Sequence, residues 1–587
     1  MEILSSTPIF FNCFVGCSGI PGVVFIFLLF PVSLTRDFRA LPLIPDTPFL
    51  WAWNAPTEIC EERFNEPIDL RFFSLVGSPQ KDITGQRITI FYFDRLGLYP
   101  YIDNVTLTNV NGGIPQKGSL QNHLEKAKVD ILYYMPEDKI GLAVIDWREW
   151  NPLWERNWKP KDIYQQRSIE SVKQQNESLN DSEANILAKE YFEEAAKNFM
   201  KETLKLGTSL RPNYIWGYYL FPDCYNNLYN TQDYDGSCSD IEKNRNDELS
   251  WLWEESTALY PSIYLNSKLS STPEATLYAQ NRIQEAIRAS RAHNTEDPLP
   301  IYIYTRPVFT DALGEYLPQT DLVSTIGEGV ALGASGTIMW GSFNVSQSKQ
   351  SCMDLETYMK STLNPYLINV TLAAKMCSQV LCQEHGVCTR KSWNSSDYLH
   401  LNPEHFVIQS GEGGKYIVDG KPTLEDLRYF YENFHCSCYP HINCHETLDI
   451  QNIDIINVCV ADDVCIEAFL GTEMNDLSSD LEDEVSENPT DVESYVNSVC
   501  EPGVDYHECL KLKCSMQEMF ANGTDKECEG VNWQNVTSDL HFLHKKENKT
   551  QIPKNPASIK FPIYILHFGI SYTFIYTSLA SFSYFFI

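Results

Sequence analysis

Positively charged residues are scarce in this chain of 587 residues. Lys and Arg number 45 against 78 Asp and Glu, which gives a formal net charge of −33 at pH 7. A nucleic-acid-binding surface needs Lys and Arg to replace the counterions of the phosphates. The composition therefore argues against a nucleic-acid partner, and any other anionic partner has to be met by a local basic patch.

The chain also lacks the cysteine spacing of a zinc site. Among its 18 cysteines, no CxxC pair is followed by Cys or His at zinc spacing, so we expect neither a metal nor a cofactor. The clustered cysteines and nine Asn-X-Ser/Thr sequons instead favour an oxidised, glycosylated protein of the secretory pathway. The sequon residues are Asn104, Asn176, Asn180, Asn344, Asn369, Asn394, Asn522, Asn535 and Asn548.

Long apolar runs occur only near the two ends. Residues 1–35 are predicted to be a signal peptide, because the apolar stretch 22–34 is too short and too interrupted by proline to span a bilayer comfortably. The tail 561–587 has no Asp, Glu, Lys or Arg, which is typical of a GPI signal with attachment at or shortly after Asn548. A transmembrane anchor is the alternative, and either one predicts a protein attached to the cell-surface membrane.

Residues 36–376 alternate short apolar runs with long amphipathic stretches. The stretches 182–206 and 275–292 have helical periodicity. Strand and helix in repeated alternation imply a parallel sheet, and this length favours an α/β fold closed as a distorted (β/α) TIM-like barrel. Catalytic groups are then expected at the carboxyl ends of the strands. The predicted strands are 88–94, 139–147, 214–221, 262–265, 299–306 and 334–341.

The regular alternation fades after the barrel. Residues 377–466 are rich in cysteine and predict a small disulfide-rich module of the EGF-like type. An acidic linker follows at 467–499; between 467 and 493 it holds ten Asp or Glu and no Lys or Arg. Residues 500–560 form a small segment and spacer with a last cysteine cluster, Cys500, Cys509, Cys514 and Cys528.

The run GLAVIDWREW at 141–150 carries the clearest sign of chemistry. Its apolar strand would end at Asp146, and because side chains alternate along a strand, Asp146 and Arg148 share one face. Tyr219, Tyr264 and Trp340 stand near the ends of other predicted strands. Aromatic faces stack on the apolar faces of sugar rings, so this set suits a carbohydrate cleft.

Several long motifs resemble those of the vertebrate hyaluronidases, glycoside hydrolase family 56. The resemblance covers about residues 36–466 and is greatest to the GPI-anchored member of the sperm surface. It therefore implies a sperm-head or acrosomal location for this chain. The motifs are WAWNAPTE (51–58), FYFDRLGLYPYID (91–103), NGGIPQKGSLQNHL (111–124), GLAVIDW (141–147), RNWKPKDIY (156–164), WGYYLFPDCYN (216–226), STALYPSIYL (256–265) and NPYLINVTLAAKMCSQVLC (364–382).

The resemblance implies hydrolysis of β-1,4 linkages between N-acetylglucosamine and glucuronate in hyaluronan, with chondroitin as a further possible substrate. The 2-acetamido group of the substrate is the nucleophile, an exception to the two-carboxylate scheme. Asp146 matches the carboxylate that orients this group, and Tyr264 matches its hydrogen-bonding partner. The residues implied in substrate binding are Tyr99, Tyr219, Tyr225, Ser262, Arg282 and Trp340, of which Arg282 would meet a glucuronate carboxylate.

The same resemblance implies six disulfides. They are Cys60 with Cys352, Cys224 with Cys238, Cys377 with Cys388, Cys382 with Cys436, Cys438 with Cys444, and Cys459 with Cys465.

The chain departs from the family pattern at its centre. The family reads D-W-E-x-W-R-P, whereas this chain has Arg148 at the proton-donor position and Asn151 at the position of the family arginine. A guanidinium stays charged and cannot serve as a general acid. Three interpretations follow: a cell-surface protein that binds hyaluronan with impaired hydrolysis, an active enzyme in which a β-bulge turns Glu149 inward, and an adhesion protein with the barrel as scaffold.

Overall fold

The computed structural model describes residues 37–470, except 412, 413, 448, 449 and 462. The predicted signal peptide, nearly all of the acidic linker, the segment 500–560 and the apolar tail lie outside the described residues. So do the last cysteine cluster, Cys500, Cys509, Cys514 and Cys528, and the sequons at Asn522, Asn535 and Asn548.

The strands, in chain order, are β1 Leu50–Asn54, β2 Leu75–Gly77, β3 Ile88–Phe91, β4 Tyr101–Ile102, β5 Asn109–Val110, β6 Gly141–Ile145, β7 Tyr214–Tyr218, β8 Tyr302–Thr305, β9 Gly336–Trp340, β10 Gly386–Arg390, β11 Phe406–Ser410, β12 Tyr416–Gly420, β13 Phe434–Cys438, β14 Ile455–Ala461 and β15 Val464–Phe469.

The helices are α1 Glu58–Phe64, α2 Leu120–Tyr134, α3 Asp162–Gln175, α4 Asp181–Leu210, α5 Asp240–Glu248, α6 Ser250–Glu255, α7 Pro273–Ser290, α8 Gln319–Leu322, α9 Glu328–Ala331, α10 Lys349–Tyr358, α11 Asn364–Cys382 and α12 Leu424–Asn433.

Parallel strands form a ring with helices outside it. One sheet has the order β3-β6-β7 and another the order β2-β1-β9-β8, with parallel pairing throughout. Bridges of Tyr219 with Tyr260 and of Leu259 with Ile301 connect β7 to β8, and β2 packs against β3. The expected α/β, TIM-barrel-like fold is therefore confirmed.

The predicted strand at 262–265 is wrong in detail. Only isolated bridges, at Leu259, Tyr260 and Ser262, hold this stretch between β7 and β8. Pro261 has no backbone N–H and cannot complete a regular ladder, so the pairing is broken and lies a few residues earlier. The other five predicted strands are confirmed as β3, β6, β7, β8 and β9.

Side-chain alternation along the strands separates two apolar layers. Leu50 and Ala52 of β1 and Leu142 and Val144 of β6 belong to one cluster, made of residues from the barrel strands and the stretch between β7 and β8. Trp51, Trp53, Ala143 and Ile145 point the other way, into the large cluster shared with the helices. The two-residue period of a strand produces this division.

The two predicted long helices are confirmed as α4 and α7. Helix α4 begins at a capping box, in which the Asn180 side chain accepts from the Glu183 N–H and the Glu183 side chain accepts from the Asn180 N–H. Helix α7 begins with Pro273 in its first turn, where the missing N–H costs nothing.

After the barrel, the described chain forms small antiparallel pairs, β10 with β13, β11 with β12 and β14 with β15. The six disulfides of the structure are the same six pairs that the resemblance implies. Cys436, Cys438 and Cys444 lie close enough to hold a metal, but all three are oxidised in disulfides and offer no thiolate ligand.

Between residues 37 and 470, no described helix is both long and apolar enough to cross a membrane.

Candidate active site

The carboxyl ends of the barrel strands bring most of the predicted site residues together. Asp146 follows β6, Tyr219 follows β7, and Trp340 ends β9. Ser262 and Tyr264 follow the bridged stretch between β7 and β8. Parallel strands in a ring all end on the same side, which explains why residues far apart in sequence meet here.

Arg148 forms an ion pair with Asp146. Its Nε lies 2.7 Å from Asp146 Oδ1, and its Nη2 donates to Asp146 Oδ2 at 3.0 Å. The carboxyl side chain is buried, with 8% exposed, whereas the arginine side chain is 60% exposed. Only the Nη2 contact is a hydrogen bond, and Asp146 Oδ1 is buried without a hydrogen-bond donor although the Nε atom is close to it.

Burial and the guanidinium act in opposite directions on Asp146. Burial raises the pKa of the Asp146 carboxyl and outweighs the opposing effect of Arg148 and of the more distant Lys161. For Arg148, desolvation acts to lower the pKa, but the Asp146 carboxylate, Tyr219 and Tyr264 raise it above its ordinary value. The group at the proton-donor position therefore holds its proton more firmly than an isolated arginine does.

Three aromatic rings line the site beside this pair. The Tyr264 ring stacks on Trp340 with centroids 6.3 Å apart, and it lies 6.1 Å from the ring of Tyr219. The Tyr219 hydroxyl donates to Ser262 Oγ at 3.2 Å, and the Arg148 guanidinium lies 5.6 Å from the centre of the Tyr219 ring. Burial raises the pKa of Tyr264 well above its ordinary value, so its phenol stays protonated.

Glu149 lies apart from this cluster. Its carboxylate is half-buried and interacts with Lys161, Arg148 and Asn104. Strand β6 pairs in regular register up to Ile145, with no bulge that would turn Glu149 toward Asp146. The hypothesis of an inward-turned Glu149 has no support in this geometry.

A pocket next to Arg148 contains Tyr225. The pocket is lined by Arg148, Lys161, Tyr219 and Tyr225, together with residues of the loop after Trp147. The Tyr225 ring lies 3.6 Å from the Arg156 guanidinium, which also pairs with Glu242. The structure thus places Tyr225 beside the site, as expected from the sequence.

Tyr99 does not reach the site, so its assignment to substrate binding is corrected. Its side chain is 2% exposed, and its hydroxyl is hydrogen-bonded to Thr203 and to Tyr218. Its ring stacks on Trp147 at 4.4 Å. The loop after β3 turns inward, and the apolar ring is buried in the core between barrel and helix α4.

Arg282 is also corrected. Its Nε donates to Asn226, its Nη1 donates to the Ser262 carbonyl at 3.0 Å, and Asp223 lies 3.1 Å away as its counterion. Asn227 accepts a further bond. With its donors bound to protein acceptors and its side chain buried, Arg282 holds the loop after β7 in place and has little left for a sugar carboxylate.

The sequon residues of the described chain differ in exposure. Those at Asn104, Asn176, Asn180 and Asn394 are exposed, while Asn344 and Asn369 are partly buried.

Sequence reasoning missed four polar residues at this end of the barrel. Tyr92 accepts from Trp340 Nε1 at 2.9 Å, and its pKa is raised to about 12 by burial and by Asp146. Within the described residues, the side chains of Asn54 and Tyr304 have buried polar atoms without a hydrogen-bond partner, as has Arg306. All four stand at or next to the last residue of a strand, which is the signal that would have found them.

The family model and two sequence relatives agree with each other. The family model described as hyaluronidase matches residues 38–448. Mouse hyaluronidase-5 is 58% identical over 86% of this chain and 96% of that protein, and human hyaluronidase PH-20 is 60% identical over 80% and 92%. Bee venom hyaluronidase in complex with a hyaluronic acid tetramer aligns with a TM-score of 0.48 and 30% identity, over 54% of this chain and 98% of that one. The chain therefore belongs to the hyaluronidase family.

Proposed function

We propose that this chain binds hyaluronan at the cell surface and that its hydrolytic step is impaired. The observation that carries the proposal is the ion pair between Arg148 and Asp146. It engages the carboxylate that the resemblance assigns to the substrate acetamide and puts a guanidinium in place of the general acid.

Three effects of Arg148 act against hydrolysis. A missing general acid costs about 10²- to 10⁴-fold in rate. A fixed cation next to a developing oxocarbenium ion raises the barrier further. An Asp146 carboxylate that is ion-paired with Arg148 and accepts a hydrogen bond from its Nη2 is also less available to orient the acetamide group. We therefore expect turnover far below that of a family member with glutamate at this position.

Binding has separate support. The stacked rings of Tyr264 and Trp340 and the nearby ring of Tyr219 offer apolar faces to sugars. None of these contacts depends on a glutamate at position 148. The cations Arg148 and Lys161 add local positive charge to a strongly acidic chain, as an anionic polysaccharide requires.

The test compares the wild type with Arg148→Glu, with Arg148→Glu combined with Asn151→Arg, and with Arg148→Gln as the control without charge or acid. Hyaluronan chain length and hyaluronan retention are measured between pH ~4 and ~7. We expect retention without shortening in the wild type and in the control, and shortening in at least one glutamate variant. Efficient depolymerisation by the wild type would refute impaired hydrolysis.

The finer assignments belong to the same proposal. Residues 377–466 are proposed as an EGF-like module, and chondroitin is proposed as a second ligand. A C-terminal GPI signal, or in its place a transmembrane anchor, would hold the protein at the sperm surface. Release of the native protein from cells by a GPI-specific phospholipase separates the two kinds of anchor.

A further inference from the structure

Three arginines at the carboxyl end of the barrel differ in their hydrogen-bond acceptors and counterions. Arg148 is paired with Asp146, and Arg282 donates to three side-chain or backbone oxygens next to its counterion Asp223. Arg306, by contrast, has no hydrogen bond or ion pair within the part of the chain that the structure describes, and its Nε is buried without an acceptor. It follows directly on strand β8.

Two aromatic rings surround the Arg306 guanidinium. Its central carbon lies 5.1 Å from the centre of the Trp340 ring and 5.6 Å from that of Tyr264, the pair of stacked rings in the site. The residue is only 8% exposed. Burial lowers the pKa of Arg306, opposed by Tyr264 and Tyr219, and no carboxylate is near enough to contribute.

A buried cation without a counterion is unfavourable, because cation–π contacts replace only part of the lost hydration. A group of this kind at the centre of a site indicates a position where the ligand supplies the missing anion. A planar guanidinium matches a carboxylate better than any other common anion on a sugar, since two parallel hydrogen bonds can form.

We propose that Arg306, and not Arg282, receives the uronate carboxylate of the bound polysaccharide, with a neighbouring sugar ring on Trp340 or Tyr264. The identity of the polysaccharide in this proposal rests on the proposed function. A sulfate ester is the other source of an anionic oxygen group on such polymers, and the carboxylate is favoured by the planar fit.

The main experiment measures the affinity of the whole protein for a hyaluronan hexasaccharide and for the same hexasaccharide with its carboxyl groups reduced to alcohols. Arg306→Gln is expected to weaken binding of the first by roughly 10- to 100-fold and to leave the second nearly unchanged. Arg306→Lys keeps the charge but not the parallel N–H donors of the guanidinium. Its affinity for the first hexasaccharide should lie between those of the wild type and Arg306→Gln. Arg288→Gln, on the outer face of α7, is the matched control and should bind both as the wild type does.

Thermal unfolding distinguishes binding from a structural role. Because Arg306 has no hydrogen bond or counterion to lose, Arg306→Gln should not lower the Tm without ligand, whereas Arg282→Gln should lower it and weaken both oligosaccharides alike. If Arg306→Gln lowers Tm and weakens both ligands equally, or binds both like the wild type, the proposal is overturned. A stronger effect on sulfated than on unsulfated chondroitin would also overturn the carboxylate assignment.

A second probe keeps the test independent of hyaluronan binding. Free glucuronate, compared with glucose, should change the tryptophan fluorescence of the wild type and not that of Arg306→Gln. A response in the wild type alone supports the Arg306 site even if the polymer does not bind, in which case only the proposed function fails. No response in the wild type refutes the site.

Discussion

Asp146 and Glu149 stand on either side of Arg148, and burial raises the pKa of both carboxyl groups. A raised pKa suits a proton donor, but the two residues differ in their position relative to the site. Asp146 lies in the site and is ion-paired with Arg148, whereas Glu149 is hydrogen-bonded to Asn104 and interacts most strongly with Lys161. A residue cannot donate a proton to a bond it does not reach.

We expect Glu149→Gln to leave any residual hyaluronan hydrolysis unchanged, because strand β6 pairs regularly up to Ile145 and has no bulge that turns this carboxyl group toward Asp146. The measurement is the rate of new reducing ends per molecule of protein, with Asp146→Asn as the variant that should abolish whatever remains. Loss of the residual activity in Glu149→Gln would mean that the loop rearranges on binding and that Glu149 does replace the missing acid.

His123 should make the fold sensitive to acid. Burial lowers its pKa from 6.5 to about 3. Its Nδ1 accepts a hydrogen bond from Leu98 N–H. Between these values the unfolded chain binds a proton that the folded chain does not, so stability falls as the pH drops from about 6.5 toward 3. His123→Gln should flatten the fall of Tm between pH ~6 and ~4, while the exposed His293→Gln should not.

At the scale of single elements, the start of helix α4 combines two roles in one side chain. Asn180 Oδ1 caps the helix by accepting from Glu183 N–H, and the same residue begins a sequon completed by Ser182. Asn180→Ala should reduce the free energy of unfolding by about 1 kcal/mol through loss of the cap. Asn180→Asp should retain the cap, and Ser182→Ala should remove only a glycan, if one is attached.

Thermal unfolding and mass measured on the three variants separate these contributions. If all three variants were destabilised to the same extent, the glycan and not the cap would stabilise this end of the helix.

Strong periodicity makes most barrel elements predictable from the sequence. Where the periodicity is absent, the predicted strand is missing or displaced. The apolar runs of β6 and β8 and the long amphipathic helix α4 are evident in the sequence. Strand β1 is as buried as β6, with all five residues enclosed, but its sequence has no regular alternation that predicts a strand. The bridged stretch around Pro261 lies a few residues before the predicted strand, because a broken ladder leaves no regular pattern in the sequence.

The sequence predicts those site residues that the ends of strands bring to the site. It does not predict which side chains are already bound to other protein groups. Asp146, Tyr219, Tyr264 and Trp340 follow from their positions after strands. That Arg282 is already bound to protein partners could not be predicted, because it depends on acceptors brought by Asn226 and Asp223 from another loop. A sequence shows which arginines are present, but it does not show which of them have hydrogen-bond acceptors and a counterion in the folded protein.

At the scale of the whole described chain, a fully buried ion pair joins the barrel to the cysteine-rich part. Glu328 of α9 and Arg390 of β10 are both 0% exposed and lie 3.1 Å apart. The Tyr398 hydroxyl also donates to Glu328 at 2.7 Å. Pairs of this kind contribute little net stability but are costly to break, because each charge depends on the other for its solvation.

Glu328→Gln is therefore expected to lower the free energy of unfolding by about 3 to 5 kcal/mol. Replacing both residues, as Glu328→Leu with Arg390→Met, should cost less than the sum of the single changes. The surface pair of Lys205 and Glu202 is the control, since Lys205→Gln should change stability by less than about 1 kcal/mol. Chemical denaturation measures all of them, and a strictly additive double variant would contradict the coupling.

The pairing of β1 with β9 also constrains the order in which the chain can fold. Strand β1 lies between β2 and β9, and the Asp37 carboxylate, earlier in the chain, accepts a hydrogen bond from Ser437 across 400 residues. During synthesis, Trp51 and Trp53 emerge early and must wait for residues 336–340 before their strand gains its second neighbour. Contacts this distant in sequence form slowly, so the nascent barrel cannot close before residues 336–340 have been synthesised.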